Sequence, residues 1–334
     1  MKLCVFANNA IPTCDQPIEF VERKGLGHPD SICDSVMESA AEALRREYLN
    51  RCGHILHHNL DKALLDAGQS EPKFQGGKMV RPMQLFAGDR ATNQFGKTRI
   101  PVDEIVTTEV RRWFGEHLRF VDPDDHVVIQ SEIKPGSAEL ASIFEKKEPV
   151  SNDTSATFGF APLTETENLV LSVENFINSP ALKTRFPVAG EDVKVMAIRH
   201  GKTLHLTIAV AMVDRFVDSE SSYLEQKEGI RTAVCDYVTE RIQRIEQVTV
   251  DLNTLDEKGR GLRGMYLTVT GTSAESGDGG EVGRGNAVNG LISLNRPSGA
   301  EAAAGKNTTC HVGNIYSHLS FEIAGEIVKK ISPV

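Results

Sequence analysis

The chain predicts an α+β fold with mixed or antiparallel sheets and more than one domain. Three observations lead there. Helical periodicities alternate with paired strand patterns instead of single apolar strands, which disfavours a doubly wound parallel sheet. The runs Val193 to Ile198 and Leu204 to Val213 flank a His200-Gly201-Lys202 turn, the pattern of a strand pair. The 334 residues, 40% hydrophobic and 25% charged, suffice for several cores in a soluble chain.

In chain order, Ile32, Val36, Ala40 and Leu44 repeat every four positions, predicting an amphipathic helix that begins just after Pro29, with Asp30 or Ser31 at its cap. Gly53 to Leu60 reads as a strand, followed by a long polar loop through Gln75-Gly76-Gly77 and a strand over Met83 to Ala87. Val102, Val106, Val110, Trp113 and Phe114 define a second helix, whose spacing makes Trp113 a core residue in preference to a base-stacking one. His126 to Ile133 is strand-like, and Ser151 to Phe160 is a polar turn entering a short apolar segment. After a helix over Glu167 to Phe176 and the strand pair comes a long helix carrying Ile230, Val234, Val238, Ile242 and Ile245. Leu262 to Thr270 is predicted as a strand feeding a glycine-rich run, and Val312, Ile315, Leu319 and Ile323 mark the last helix. Three α+β regions are expected at about residues 1–130, 131–245 and 246–334, with boundaries that allow discontinuous domains.

A formal net charge of −9 argues against a general nucleic-acid surface. No apolar stretch is long enough to span a bilayer, and no basic head precedes a long apolar segment, so cytoplasmic residence is expected. The six cysteines form no close metal-type pair and are expected to be free thiols.

Two distant segments carry the chemistry. In Gly25-Leu26-Gly27-His28-Pro29-Asp30-Ser31-Ile32-Cys33-Asp34, a histidine precedes a helix on which Asp30, Asp34 and Glu38 share nearly one face. Such charges repel unless a divalent cation or a lysine relieves them; the alternative is an ordinary acidic helix start. The run Gly271 to Gly290, followed by Gly305-Lys306-Asn307, offers side-chain-free backbone for an anion, with Arg284 as a rigid cationic fork; a surface hairpin is its alternative. Asp278 would repel phosphate directly but can hold a metal, an amino group or a ribose hydroxyl. In a strand, His57, Asn59 and Asp61 share one face; a polar ligand suits them better than zinc, whose common spacings are absent.

These segments resemble the methionine adenosyltransferase (S-adenosylmethionine synthetase) family in its archaeal form. The likeness runs from about Glu19 to Lys330. It includes Ile18 to Asp34, Ile55-Leu56-His57-His58-Asn59, Asn152-Asp153-Thr154-Ser155, Gly190 to Met196, Tyr266 to Glu275, Gly283-Arg284-Gly285-Asn286 and His311-Val312-Gly313-Asn314-Ile315-Tyr316. The resemblance implies three related α+β domains about an approximate threefold axis, and a homodimer with active sites between subunits. It implies attack of L-methionine sulfur on C5′ of ATP, with Mg2+ and K+ as cofactors, then cleavage of the released triphosphate. By the same resemblance His28 lies near phosphate oxygens, Asp30 holds Mg2+, and Arg284 and Lys306 bind triphosphate. Lys202 or Arg199 would add positive charge, Asp153 and Asp278 would contact methionine or adenosine, and Asn59 and Asp61 would touch substrate. The loop from Asp66 to Met79 is the expected gate.

The chain departs from the family pattern at Thr308, Asn314 and Ala287, and against family lengths the third region is expected to be shortened at its C-terminal side. A triphosphatase without alkyl transfer, or a non-catalytic nucleotide-binding subunit, stays open at this point.

Overall fold

In the computed structural model, residues 4–7, 9–136 and 154–331 are described. Strands β1 (Ile18–Lys24), β2 (His58–Asp66), β3 (Gln69–Glu71), β4 (Lys78–Arg81), β5 (Met83–Ala91), β6 (Gln94–Phe95), β7 (Thr98–Arg99) and β8 (Val127–Ser131) belong to the first third. Then come β9 (Ala189–His200), β10 (Thr203–Val213), β11 (Gln247–Leu252), β12 (Leu267–Thr268), β13 (Gly280–Glu281) and β14 (Ile292–Ser293). The helices are α1 (Pro29–Cys52), α2 (Val102–His117), α3 (Glu165–Ile177), α4 (Pro180–Arg185), α5 (Glu220–Thr239) and α6 (Val312–Ile331).

Two mixed sheets result. One has the order β11-β10-β9-β1-β14, with β12 also pairing β10; the other has the order β13-β2-β5-β8. They repeat one construction: a helix, an antiparallel strand pair, a crossover helix, then a strand parallel to its neighbour. In one copy α1, β2, β5, α2 and β8 follow in turn; in the other α3, β9, β10, α5 and β11. A crossover helix is what joins parallel neighbours, so the mixed sheets follow from the alternation of paired strands with long helices. Each copy closes its own core. Val21, Val193, Val195, Leu206, Ile208 and Val234 lie in one, and Ile32, Val36, Leu44, Leu85, Val106 and Phe114 in the other.

The sheets cross the expected boundaries at 130/131 and 245/246. Strand β1 pairs with β9, and the short strands of the glycine-rich stretch extend both sheets: β13 joins β2, and β14 joins β1. That exchange brings the last third of the chain against the first.

Several elements differ from expectation. Strand β2 starts at His58, not Gly53, because Gly53 ends α1 in the left-handed conformation (φ 76°) with its N–H on Leu49 O. The cap of α1 is His28, ahead of Asp30 and Ser31, and its Nδ1 accepts the Asp30 N–H. Helix α5 stops at Thr239, so Ile242 and Ile245 pack beyond its end. Leu262 to Thr270 is no continuous strand. Gly261, at φ 56°, opens a 3-10 turn to Gly264, and only Leu267–Thr268 pair with β10. The loop at 66–79 is a pinned hairpin. Strands β3 and β4 pair, buried Asp214 accepts the N–H groups of Lys73 (3.1 Å) and Gly77 (2.7 Å), and Gln75 N–H reaches Val217 O. A free lid is not what these contacts describe.

Candidate active site

The approach to α1 is set by backbone contact with β9. Gly25 N–H bonds Val193 O at 2.7 Å and Gly27 N–H bonds Glu191 O at 3.0 Å, while Thr272 Oγ1 donates to Gly27 O at 2.6 Å. A Cβ on Gly27 would stand 2.4 Å from Asp192 N, so only glycine lets the chain lie so flat on the sheet. Pro29 then fixes the first helical position, where a missing N–H costs nothing.

His28 is buried at this junction, and burial pulls its imidazole down to about 4 despite the nearby Asp30 carboxylate. Because Nδ1 accepts the Asp30 N–H (3.2 Å), the ring proton of the neutral form sits on Nε2. His28 is therefore a neutral hydrogen-bond donor.

The glycine-rich run rides over this helix start. A Cβ at Gly280 would strike Pro29 backbone at 2.2 Å, so β13 touches α1 directly. Lys24 ties the two segments together, donating to Asp30 Oδ2 at 2.8 Å and to Arg284 O at 2.6 Å. The three carboxylates of α1 each take a backbone N–H from the late segments: Glu281 to Asp30 (3.0 Å), Gly283 to Asp34 (2.8 Å) and Gly305 to Glu38 (2.8 Å). Burial raises all three carboxyls; for Asp30 the bonds from Lys24 and Glu281 outweigh it and hold the group low, whereas Asp34 is left at about 6 and Glu38 stays raised. The every-four spacing of acids is thus a ladder of peptide acceptors.

Two further acids belong to this region, Asp192 with its backbone against Gly27 and Asp278 with its charge acting on His28. Asp192, buried in β9, accepts the N–H and hydroxyl of Ser273 (2.8 and 2.6 Å); burial, aided by the charge of Asp278, pushes it up to about 6. Asp278 itself is exposed on the glycine run, its charge acting on both His28 and Asp192. Lys24 and Asp192 were not singled out from sequence. The acid pair Glu191-Asp192 among the buried Val188, Ala189, Val193 and Val195 is the available signal for Asp192.

Other expected residues lie apart. Lys306 is anchored through Gly305 to Glu38, eight residues along α1 from Asp30, which is about 12 Å. Its buried ammonium turns into Glu301 and Asp61, and its backbone bridges to Asn59. Asn59 Nδ2 in turn donates to Asp61 (2.8 Å) and Asp89 (3.0 Å). This is one cluster, on the flank of the helix that His28 caps. Arg199 and Lys202 belong elsewhere. Arg199 stands opposite Glu19 on β1, five residues from Lys24 and so about 17 Å down the strand. Its guanidinium is spent on Glu19 (3.0 Å) and on the carbonyls of Thr13, Gln16 and Gly201. Lys202 is exposed at the β9–β10 turn and pairs with Glu246. Neither adds positive charge at His28 within this chain. Asp153 lies outside the described residues.

Among the described residues no group of three or more His, Cys, Asp or Glu side chains converges to hold a metal ion. Mg2+, however, takes one or two carboxylates and completes its shell with water and phosphate oxygens; the acids acting on His28 are Asp30, which already accepts from Lys24 and the Glu281 N–H, and exposed Asp278.

The S-adenosylmethionine synthetase family model matches residues 2–334. A probable S-adenosylmethionine synthase of Aquifex aeolicus is 44% identical over 328 residues, 97% of this chain and 81% of that protein. The S-adenosylmethionine synthase of Pyrococcus furiosus is 45% identical over 320 residues, 95% and 79% of the two chains. Among solved structures, an unusual S-adenosylmethionine synthetase from Campylobacter jejuni superposes with a TM-score of 0.59 at 16% identity, covering 94% of this chain and 74% of that one; it supports the fold alone. Matched along nearly its whole length, the chain belongs to the S-adenosylmethionine synthetase family.

Proposed function

We propose that this chain forms S-adenosylmethionine from ATP and L-methionine, and then cleaves the displaced triphosphate to pyrophosphate and phosphate. The observation that carries the reading is the seating of the glycine-rich run on the start of α1, where Lys24 joins Asp30 to the Arg284 carbonyl beside a neutral His28. A thioether sulfur attacks C5′ as a neutral nucleophile, the C5′–O bond breaks, and no proton must be removed. The barrier lies in alignment and in negative charge gathering on the leaving triphosphate.

In this reading His28 Nε2–H donates to a phosphate oxygen, and the exposed Arg284 side chain provides a cationic fork. Asp30, with Asp278, would hold Mg2+, which supplies charge neutralisation at the phosphates when bound. Lys306, Asn59 and Asp61 form a second polar wall along α1, a placement suited to the far end of an extended substrate. Arg199 and Lys202 have no part in it. A homodimer with sites between protomers is the assembly the reading implies, with K+ as a further family cofactor to which we assign no residues. No described helix is long and apolar enough to cross a membrane.

Incubation with ATP, methionine and Mg2+ tests the proposal. The expected products are the sulfonium compound, pyrophosphate and phosphate in equal amounts. Methionine-independent phosphate release without sulfonium would support the triphosphatase reading instead, and binding of ATP without turnover a non-catalytic subunit.

A further inference from the structure

Arg284 stands in a loop rich in glycine, where a long bond from its own N–H to Glu281 O (3.4 Å) is the local tie. Gly283, just before it, adopts φ 85°, and both neighbours lack side chains. Lys24 holds the Arg284 carbonyl from one side, and one carboxylate from α1 holds the turn on the other. Asp34 Oδ1 accepts the Gly283 N–H at 2.8 Å, and the N–H of Gly285 also bonds the same carboxylate. The N–H groups of the two glycines flanking Arg284 are thus held by a single side chain. The fit is close: a Cβ on Gly285 would lie 2.0 Å from Asp34 Oδ2. Asp34 in turn sits on the first turns of α1, four residues and so about 6 Å along the axis from Asp30, and helix geometry sets its place relative to His28 at the cap.

Asp34 lines a cleft of about 900 Å3 with Glu38, Gly283, Gly285, Phe158 and Leu294. A negative group there cannot bind triphosphate, and it is not needed to satisfy the two amides, because water in the open cleft can do so. Its distinctive effect is to fix where Arg284 stands.

We propose that Asp34 is a positioning residue for triphosphate binding, acting through Arg284 by holding the N–H groups of the glycines on both sides of it. The inference rests on the phosphate reading of the site. Calorimetric titration of the purified protein with inorganic tripolyphosphate and Mg2+ tests it, because the probe needs no methionine chemistry. Asp34→Ala should weaken binding about tenfold, the size expected for loss of charge-assisted hydrogen bonds, and Asp34→Asn, which keeps one acceptor, should fall between it and wild type. The methionine KM should stay within twofold, and the melting temperature should move little because water replaces the lost acceptor. In an Arg284→Ala background, Asp34→Ala should have no further effect.

Equal losses from Asp34→Ala with and without Arg284 would overturn the proposal, as would unchanged tripolyphosphate affinity in a folded Asp34→Ala protein. Should Asp34→Ala fail to fold, Asp34→Asn carries the same comparison in both backgrounds. Wild-type protein that does not bind tripolyphosphate would instead refute the phosphate reading itself.

Discussion

Replacing Gly27 by alanine perturbs the site at its most rigid wall. The new Cβ would meet Asp192 N at 2.4 Å and Glu191 C at 2.6 Å, an overlap of about 1 Å with the backbone of β9 in the middle of its sheet. Neither atom can swing aside, so the approach to α1 must move instead. That movement breaks the Gly27 N–H bond to Glu191 O and the Thr272 hydroxyl bond to Gly27 O. Overpacking costs about 1–3 kcal/mol and each lost hydrogen bond about 1 kcal/mol, so the variant should be destabilised by roughly 3–5 kcal/mol. A displacement of about 1 Å at His28 should slow product formation on the order of 100-fold. Urea unfolding monitored by circular dichroism gives the first quantity and single-turnover formation of the sulfonium product the second. Gly201→Ala is the control: its Cβ meets nothing within 4 Å, and only the φ of 57° is strained, at about 1–2 kcal/mol. A Gly27→Ala protein within about 1 kcal/mol and about threefold of wild type would refute the claim that β9 positions His28.

Two other expectations follow from the same geometry. His28 has a depressed folded-state value of about 4 against its ordinary 6.5, so its stabilising contribution is complete above 6.5 and lost as pH falls through 4. Ring-15N NMR should therefore show His28 neutral across the range where free histidine titrates, and a His28 midpoint near 6.5 would contradict its burial. Arg199→Ala should destabilise the fold by about 3–5 kcal/mol, because it strands the fully buried Glu19 carboxylate. The folded fraction should keep the wild-type KM for ATP; a selective rise in that KM would return Arg199 to the phosphate site.

Local chemistry made part of this structure legible in the sequence. Pro29 and the every-four apolar stripe marked α1, and the alternation of strand pairs with long helices predicted the mixed sheets. The cap was missed because Ser and Asp are the usual capping residues, whereas here an imidazole nitrogen takes the Asp30 N–H. Leu262 to Thr270 misled for a tertiary reason: Leu267 and Val269 are buried by packing behind β10, while Leu262 is exposed. The acidic ladder was read correctly as one helix face, but its partners lie about 250 residues away and no local signal names them. Arg199 illustrates the same limit. Its charge suggested an anion, and its partner is the buried carboxylate on the neighbouring strand.

The account's central claim is that segments 256 residues apart act on one leaving group, which a double-mutant cycle on His28 and Arg284 tests most directly. With kcat/KM for ATP measured for His28→Ala, Arg284→Ala and the double variant, the two losses should be non-additive by about 0.5–3 kcal/mol, as for residues sharing one partner. Additivity within about 0.3 kcal/mol would place the two side chains at separate tasks and contradict the account.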